Sequence, residues 1–357
     1  MKKKEIEIDG WFRKQIDFSK LHDFQVVRVT GVYKNSFTLR YRENDIFSEM
    51  TGNLIYNAVL PIDYPTVGDW VYAQFFNQNS WGIIHELIPR KTVLMRKTPG
   101  KKISYQLIAA NIDIALIIQS LDSDFNLRRL ERYLAITKEG HISPVVLLSK
   151  SDLLPAVEIT EKIKDILAIM PDVNVIAFSN VNEYQLNKVK ELFLSGKTYC
   201  LLGSSGVGKT TLINQLIGKN TFKTREVRIK NGKGKHTTTY RQLIDLTNGA
   251  MIIDTPGMRE LGMVDSQLGI DDTFTDIVDL SKYCRFNNCT HNQEAGCAVL
   301  DALHKGTLSR ERYQNYMKMK KESVYYEMSY LEKRRKDKQL GRFYKKVMKE
   351  HIKKKRY

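Results

Sequence analysis

Along residues 24–96 apolar and polar positions alternate in short runs: FQVVRVTGVY, SFTLRY, VGDWVYAQF and WGIIHELI, separated by Gly, Asn and Pro. Alternation at period two predicts half-buried strands, because successive side chains point to opposite faces. Five or so such strands predict a small OB-type β-barrel, a shape that commonly binds RNA or oligonucleotides and that can equally serve only to pack against a neighbour. Beyond Thr98 the pattern changes. IDIALII (112–118), PVVLL (144–148), VNVIAF (173–178), TYCLLG (198–203) and AMIID (250–254) are nearly continuous apolar runs, as expected of parallel strands covered on both faces. Helical stretches such as NLRRLERYLAITKEG (126–140) fit between them, which predicts an α/β domain. After Gly269 comes a third pattern, helical and basic. Ser309 is placed to cap a helix with Glu311 in its first turn. Tyr313, Met317, Val324, Met328 and Leu331 follow at near-helical spacing, and the sequence runs on to KKVMKEHIKKKRY. The expected division is 1–97, 98–268 and 269–357.

Length agrees with that division, since 357 residues exceed one ordinary core. Charge adds a partner class. Lys and Arg number 57 against 40 Asp and Glu, a formal net charge of +17, and the excess collects toward the C-terminus. A polyanion is the expected partner, the plain alternative being a solvated basic surface. No apolar run approaches the length of a membrane span, and the first ten residues, MKKKEIEIDG, lack the apolar stretch of an export signal. A cytoplasmic monomer is expected.

The apolar strand before Gly203 opens into GSSGVGKT, and TTLINQLIGK continues as a helix. Strand, glycine-rich loop and helix in that order form a phosphate loop, G-x-x-x-x-G-K-[ST]. Backbone N–H groups of Gly203, Ser204, Ser205, Gly206, Val207 and Gly208 curl around phosphates, Lys209 reaches the outer ones, and Thr210 ligates Mg²⁺ with Thr211 beside it. DTPG at 254–257 ends another apolar strand. Asp254 suits the Mg²⁺ shell and the Gly257 N–H a γ-phosphate sensor. Between them, KTREVRIKNGKGKHTTTYRQ (223–242) has the composition of a switch loop, with Thr238 favoured as its Mg²⁺ ligand to within one position.

SKSD (Ser149, Lys150, Ser151, Asp152) follows the strand PVVLL. An Asp carboxylate there accepts two hydrogen bonds from guanine N1–H and the exocyclic amine, which adenine cannot offer, while Lys150 lies along the base. AFSN (177–180) ends the next strand, with Ser179 at a second base-contacting loop. In an ordinary GTPase these loops come last; here they come first. Joining the ends of such a domain and reopening it at an exposed loop produces this order, so a circularly permuted P-loop GTPase domain is predicted.

Cys284, Cys289, His291 and Cys297 form C-x4-C-x-H-x5-C. Three thiols and an imidazole with no open position predict one structural Zn²⁺ per chain, the net charge offset by Lys282 and Arg285. Cys200, inside a strand, reads as core.

Barrel, permuted GTPase and metal cluster, with VGDWV, NIDIALII, GCAV and GTLSRERYQNY, together resemble the small ribosomal subunit biogenesis GTPase (RsgA, YjeQ) family over nearly the whole chain. The resemblance implies a multidomain α/β protein: an N-terminal OB-fold, a permuted GTPase and a C-terminal zinc-binding helical domain. It further implies binding to the small ribosomal subunit and its rRNA late in maturation, with hydrolysis of Mg²⁺·GTP stimulated by the subunit. Two positions depart from the family pattern, Ser149 for Asn and Asn180 for Ala, and the barrel and tail suggest a divergent or second copy. Met258 stands where Ras-like proteins carry a water-orienting Gln, and a thioether cannot orient water. His236, beside the switch threonines, is the candidate to do so, with Lys209 and Thr238 completing the catalytic set. Two rival functions remain open: a GTPase switch on another RNA assembly, and a non-catalytic RNA-binding module regulated by GTP.

Overall fold

The computed structural model describes residues 10–33, 36–42, 44–97, 105–218, 241–254 and 267–327. The expected switch loop up to Tyr240, the TPG of DTPG, and the tail beyond Glu327 lie outside the described residues, and with them Thr238, His236, Gly257 and Met258.

After a short N-terminal helix, α1 (Gly10–Arg13), five strands close a barrel: β1 (Gln25–Val32), β2 (Phe37–Tyr41), β3 (Asn44–Met50), β4 (Trp70–Phe76) and β5 (Trp81–Leu87), with α2 (Gly52–Asn57) between β3 and β4. The order around the barrel is β1-β2-β3-β5-β4, and β4 returns to pair with β1. Pairing is antiparallel except between β3 and β5. Inward residues Val27, Val29, Leu39, Val71 and Ile84 fill it, the alternation of the sequence turned into one packed face. This is the expected OB-type barrel.

The VGD turn before β4 locks the barrel to the α/β unit. Gly68 has φ +92 and lies so close to the Ala110 carbonyl that a Cβ would meet it at 2.1 Å; only glycine fits. Asp69, fully buried, accepts from Arg90 through both oxygens at 2.7 Å and from the Thr66 N–H at 2.7 Å. An antiparallel pair, β6 (Val93–Lys97) and β7 (Tyr105–Ala110), then leads into that unit.

The α/β unit holds β8 (Ile114–Ser120), α3 (Leu127–Glu139), β9 (Ser143–Ser149), α4 (Ala156–Ile169), β10 (Asn174–Ala177), α5 (Leu186–Glu191), β11 (Thr198–Leu202), α6 (Lys209–Ile217), β12 (Arg241–Asp245) and β13 (Met251–Asp254). Sheet order is β10-β9-β8-β11-β13-β12, parallel except for β12. Cutting between β10 and β11 and joining β13 to β8 gives the chain order of an unpermuted GTPase, so the inversion of motifs is a matter of connectivity and not of packing. The sheet departs from the sequence expectation at β12. Arg241 and Gln242, assigned to the switch loop, belong to this strand, because pairing on both edges overrides a polar composition. And β12 pairs outward with barrel strand β1, Gly31 opposite Gln242 and Val32 opposite Arg241, so one eleven-stranded sheet runs through both units.

Four helices complete the described chain: α7 (Gln267–Thr273), α8 (Thr275–Ser281), α9 (Ala298–His304) and α10 (Arg310–Glu327). Ser309 caps α10 as expected, its hydroxyl accepting from the Arg312 N–H at 3.1 Å. Tyr313 and Met317 pack inward, but Val324 is 45% exposed while Tyr316 and Met319 are buried. The group packs on α3 through Glu131, fully buried, which takes Arg128 at 2.6 Å, Arg312 at 2.9 Å and the Asn315 amide. Arg312 also grips Asp276 through two contacts of 2.6 Å and lies over the Phe274 ring.

Candidate functional site

The carboxyl ends of β8, β9, β10 and β11 meet at one edge of the sheet, where α/β proteins place ligands. From β11 the chain enters the phosphate loop. Gly203, Gly206 and Gly208 all have positive φ, at 147°, 85° and 94°, and a Cβ on Gly203 would strike the Ile118 carbonyl at 2.3 Å. Curling the backbone so tightly turns successive N–H groups toward one point, at the positive end of α6. Val207 anchors the loop in the core at 1% exposure, whereas Ser205 and Gly206 are open to solvent. Lys209 folds across the loop, its Nζ donating to Gly203 O at 2.7 Å and Ser204 O at 2.5 Å. Thr210 and Thr211 follow in the first turn of α6, half-buried. Asp254 is the last residue of β13, the strand beside β11.

Two strands away, SKSD and FSN face each other. Leu148 pairs with Ala177, so β9 and β10 deliver their loops at one level. The Ser151 N–H donates to Phe178 O at 3.2 Å, and the Ser179 hydroxyl donates to Asp152 Oδ1. Ser179 Oγ in turn accepts from Val181 N–H at 3.0 Å and Asn182 N–H at 3.4 Å. Asp152 is thereby held in one orientation with its second oxygen left to accept. Ser149, fully buried, reaches the phosphate loop: its hydroxyl donates to Val207 O at 2.7 Å. The serine therefore still ties the base loop to the phosphate loop with one hydrogen bond. Lys150, at φ 59°, ion-pairs with Asp122 at 2.7 Å.

One of these neighbours escapes a reading of motifs. Asp122 sits in SLDSD after β8, whose loop adjoins that of β9. Burial alone would raise its carboxyl, but Lys150, the Ser120 hydroxyl and the Asp124 N–H together hold it below the usual carboxylate range. Its signal in the sequence is position alone, after an apolar parallel strand. Asn180 lies over the phosphate loop, Nδ2 at 3.5 Å from Gly208 O, while its buried Oδ1 has no partner.

The cysteine cluster lies apart from this edge, around the start of α9. Sγ of Cys284, Cys289 and Cys297 and a ring nitrogen of His291 lie within 4.8 Å of one another. Cys284 Sγ is 3.8 Å from Cys297 Sγ and 3.6 Å from His291 Nδ1, which is 3.4 Å from Cys297 Sγ. Bonds of about 2.3 Å to sulfur and 2.0–2.1 Å to nitrogen in a tetrahedron give edges of about 3.5–3.8 Å, so the four side chains fit a metal ion. Leu300 N–H donates to Cys297 Sγ at 3.5 Å, and Tyr313 OH to His291 O at 2.6 Å. Lys282 pairs with Asp279 at 2.7 Å, leaving the local charge to Arg285 and these N–H groups. Cys200 is core, its thiol pushed up to about 12 by burial.

The family model for RsgA GTPase matches residues 87–264. A small ribosomal subunit biogenesis GTPase RsgA 2 from Vibrio vulnificus is 38% identical over 341 residues, 95% of this chain and 93% of the relative. The chain belongs to the RsgA GTPase family. It is a GTP-hydrolysing enzyme by that membership. In fold it is similar to YjeQ from Thermotoga maritima, with a TM-score of 0.60 at 23% identity, covering 84% of this chain and 99% of that one. YloQ, described as a circularly permuted GTPase, gives 0.59 at 22%, covering 88% and 100%.

Proposed function

We propose that this GTPase acts in maturation of the small ribosomal subunit, binding its rRNA and hydrolysing GTP when docked there. One observation carries the proposal: resemblance to a relative named for that role extends over 95% of the chain and so takes in barrel, GTPase and metal cluster together. The formal charge of +17 supports a nucleic-acid partner. No helix among the described residues is long and apolar enough to cross a membrane, and we place the protein in the cytoplasm as a monomer with boundaries near residues 97 and 268.

Within the site, Gly203 to Thr211 hold the phosphates, with Lys209 leaving its two loop carbonyls for the β- and γ-oxygens when nucleotide binds. Asp152, pre-oriented by Ser179, reads guanine with Lys150 and Ser151 beside it. Thr210, Thr238 and Asp254 are the Mg²⁺ positions, Gly257 the γ-phosphate sensor and His236 the water-orienting group. Mg²⁺ neutralises charge developing on the transferred phosphoryl group. Cys284, Cys289, His291 and Cys297 hold one Zn²⁺ that closes the α8–α9 connection.

Turnover tests the reading. GTP hydrolysis is expected to be slow alone, because Met258 cannot align water, and to rise by about 10³-fold or more on addition of purified small subunits. Lys209→Ala should abolish both rates. Stimulation by large subunits alone, or by another RNA assembly, would remove the ribosomal assignment; GTP binding without turnover would favour the non-catalytic module.

A further inference from the structure

At the other end of the same sheet, a pocket of about 420 Å³ lies between barrel, α1 and the amino ends of the parallel strands. Asp113 just before β8, Thr198 at the start of β11 and Met251 at the start of β13 contribute to it. It lies the full length of β11 away from the phosphate loop and shares no residue with the nucleotide site. Four cations line it, Arg13, Arg28, Lys91 and Lys197, against one carboxylate, Asp113. That carboxylate is already engaged by Lys197 Nζ at 3.1 Å and by the Thr198 N–H at 2.9 Å.

Arg28 decides the chemistry. It is 3% exposed, and its guanidinium donates to Gly68 O at 3.2 Å, Asn111 O at 3.1 Å, Thr198 Oγ1 at 2.9 Å and Met251 Sδ at 3.2 Å. All four acceptors are neutral. Burial brings this guanidinium down to about 10 against the opposing pull of Asp113, Asp245 and Asp69, and none of those carboxylates is among its four bonded acceptors. Trp70 lies beside it, 5.6 Å from ring centroid to guanidinium carbon, and Phe12 packs on Trp70 at 6.0 Å. A floor of buried guanidinium, an aromatic wall and a rim carrying exposed Arg13 and Lys91 describe a binding site.

We propose that this pocket binds a small phosphate-bearing molecule, its phosphate set against Arg28 and the rim cations and its organic part against Trp70 and Phe12. A phosphate supplies an anion in direct contact, which the nearby carboxylates do not, and accepts from several N–H groups at once. The volume suits a small molecule, and the depth of Arg28 places its charge beyond easy reach of an RNA backbone passing over the surface. Bound there, the ligand would touch both units joined by the β1–β12 pairing.

Pyrophosphate is the probe, titrated calorimetrically into full-length protein already saturated with GDP and Mg²⁺ so that the phosphate loop is filled. Saturable one-to-one binding is expected, weakened about tenfold or more by Arg13→Gln with Lys91→Gln. Both are exposed, whereas Arg28 ties barrel to sheet and its loss would confound binding with folding. Lys318→Gln with Lys321→Gln, both exposed on α10, should leave the affinity within about twofold, as should Lys209→Ala. No saturable binding, equal weakening by both surface pairs, or binding that disappears with Lys209→Ala would each overturn the proposal. So would binding of a short RNA, lost with the same Arg13 and Lys91 substitutions, where pyrophosphate does not bind.

Discussion

Ser149 shows how one substitution keeps a connection by other means. Where the family pattern has Asn, the serine hydroxyl still donates to Val207 O at 2.7 Å, so the base loop stays tied to the phosphate loop. Asn180 is the less comfortable departure. Its Oδ1 is buried without a partner, a condition that costs about 1–3 kcal/mol, and its Nδ2 stands against Gly208. Asn180→Ala removes that cost on the loop that must accommodate the base. GTP affinity, measured by titration calorimetry, is expected to rise a few fold; a fall would mean that the amide itself contacts nucleotide. At this scale the motifs pointed to residues that the structure brings to one edge of the sheet, Ser149 to Asp152, Ser179 and Gly203 to Thr211. Asp122 was not legible, because it meets Lys150 across a gap of tens of residues and does not change the local pattern.

Among elements, most strands were legible from periodicity alone. β12 was not, since RQLID carries little apolar signal and is held by β13 on one edge and β1 on the other. Nor was the role of Glu131, which reads as one of many charges in a helix yet is fully buried against Arg312 and Arg128. Removing one member of a buried charge cluster leaves the others uncompensated, at a cost of about 3–5 kcal/mol. Arg312→Met is therefore expected to lower the denaturant midpoint of the α3–α10 packing markedly, while a shift worth under about 1 kcal/mol would assign that packing to its apolar contacts instead. The proposed zinc site would hold the element beside it. Elemental analysis should find one zinc per chain, and Cys289→Ser should lose it. Hydrogen exchange across 284–297 should then accelerate, because metal binding there is folding energy, with nucleotide affinity retained. A metal-free wild type with the same protection would contradict the assignment.

On the scale of the whole molecule, a single sheet passes from the edge proposed to read guanine through the phosphate loop strand into the barrel. β12 leaves the expected switch region, pairs with β1, and sends Asp245 to Arg40 on β2, which also holds Asp45 at 2.7 Å. Nucleotide chemistry and the proposed RNA-binding barrel are thus connected by backbone hydrogen bonds and a shared ion-pair cluster. The three-part architecture could be read from the sequence because each part has its own periodicity and motifs; the joint between parts could not, because it depends on two short pairings far apart in the chain. The central claim is that a permuted GTPase reads guanine through SKSD and is switched on by the small subunit. Asp152→Asn tests both halves in one turnover assay, since an amide in place of the carboxylate trades an acceptor for a donor and matches xanthine better than guanine. With small subunits present, the variant should lose GTP hydrolysis and gain hydrolysis of xanthosine triphosphate, stimulated by small but not large subunits. Unchanged GTP turnover, or xanthosine triphosphate turnover indifferent to the small subunit, would contradict the account.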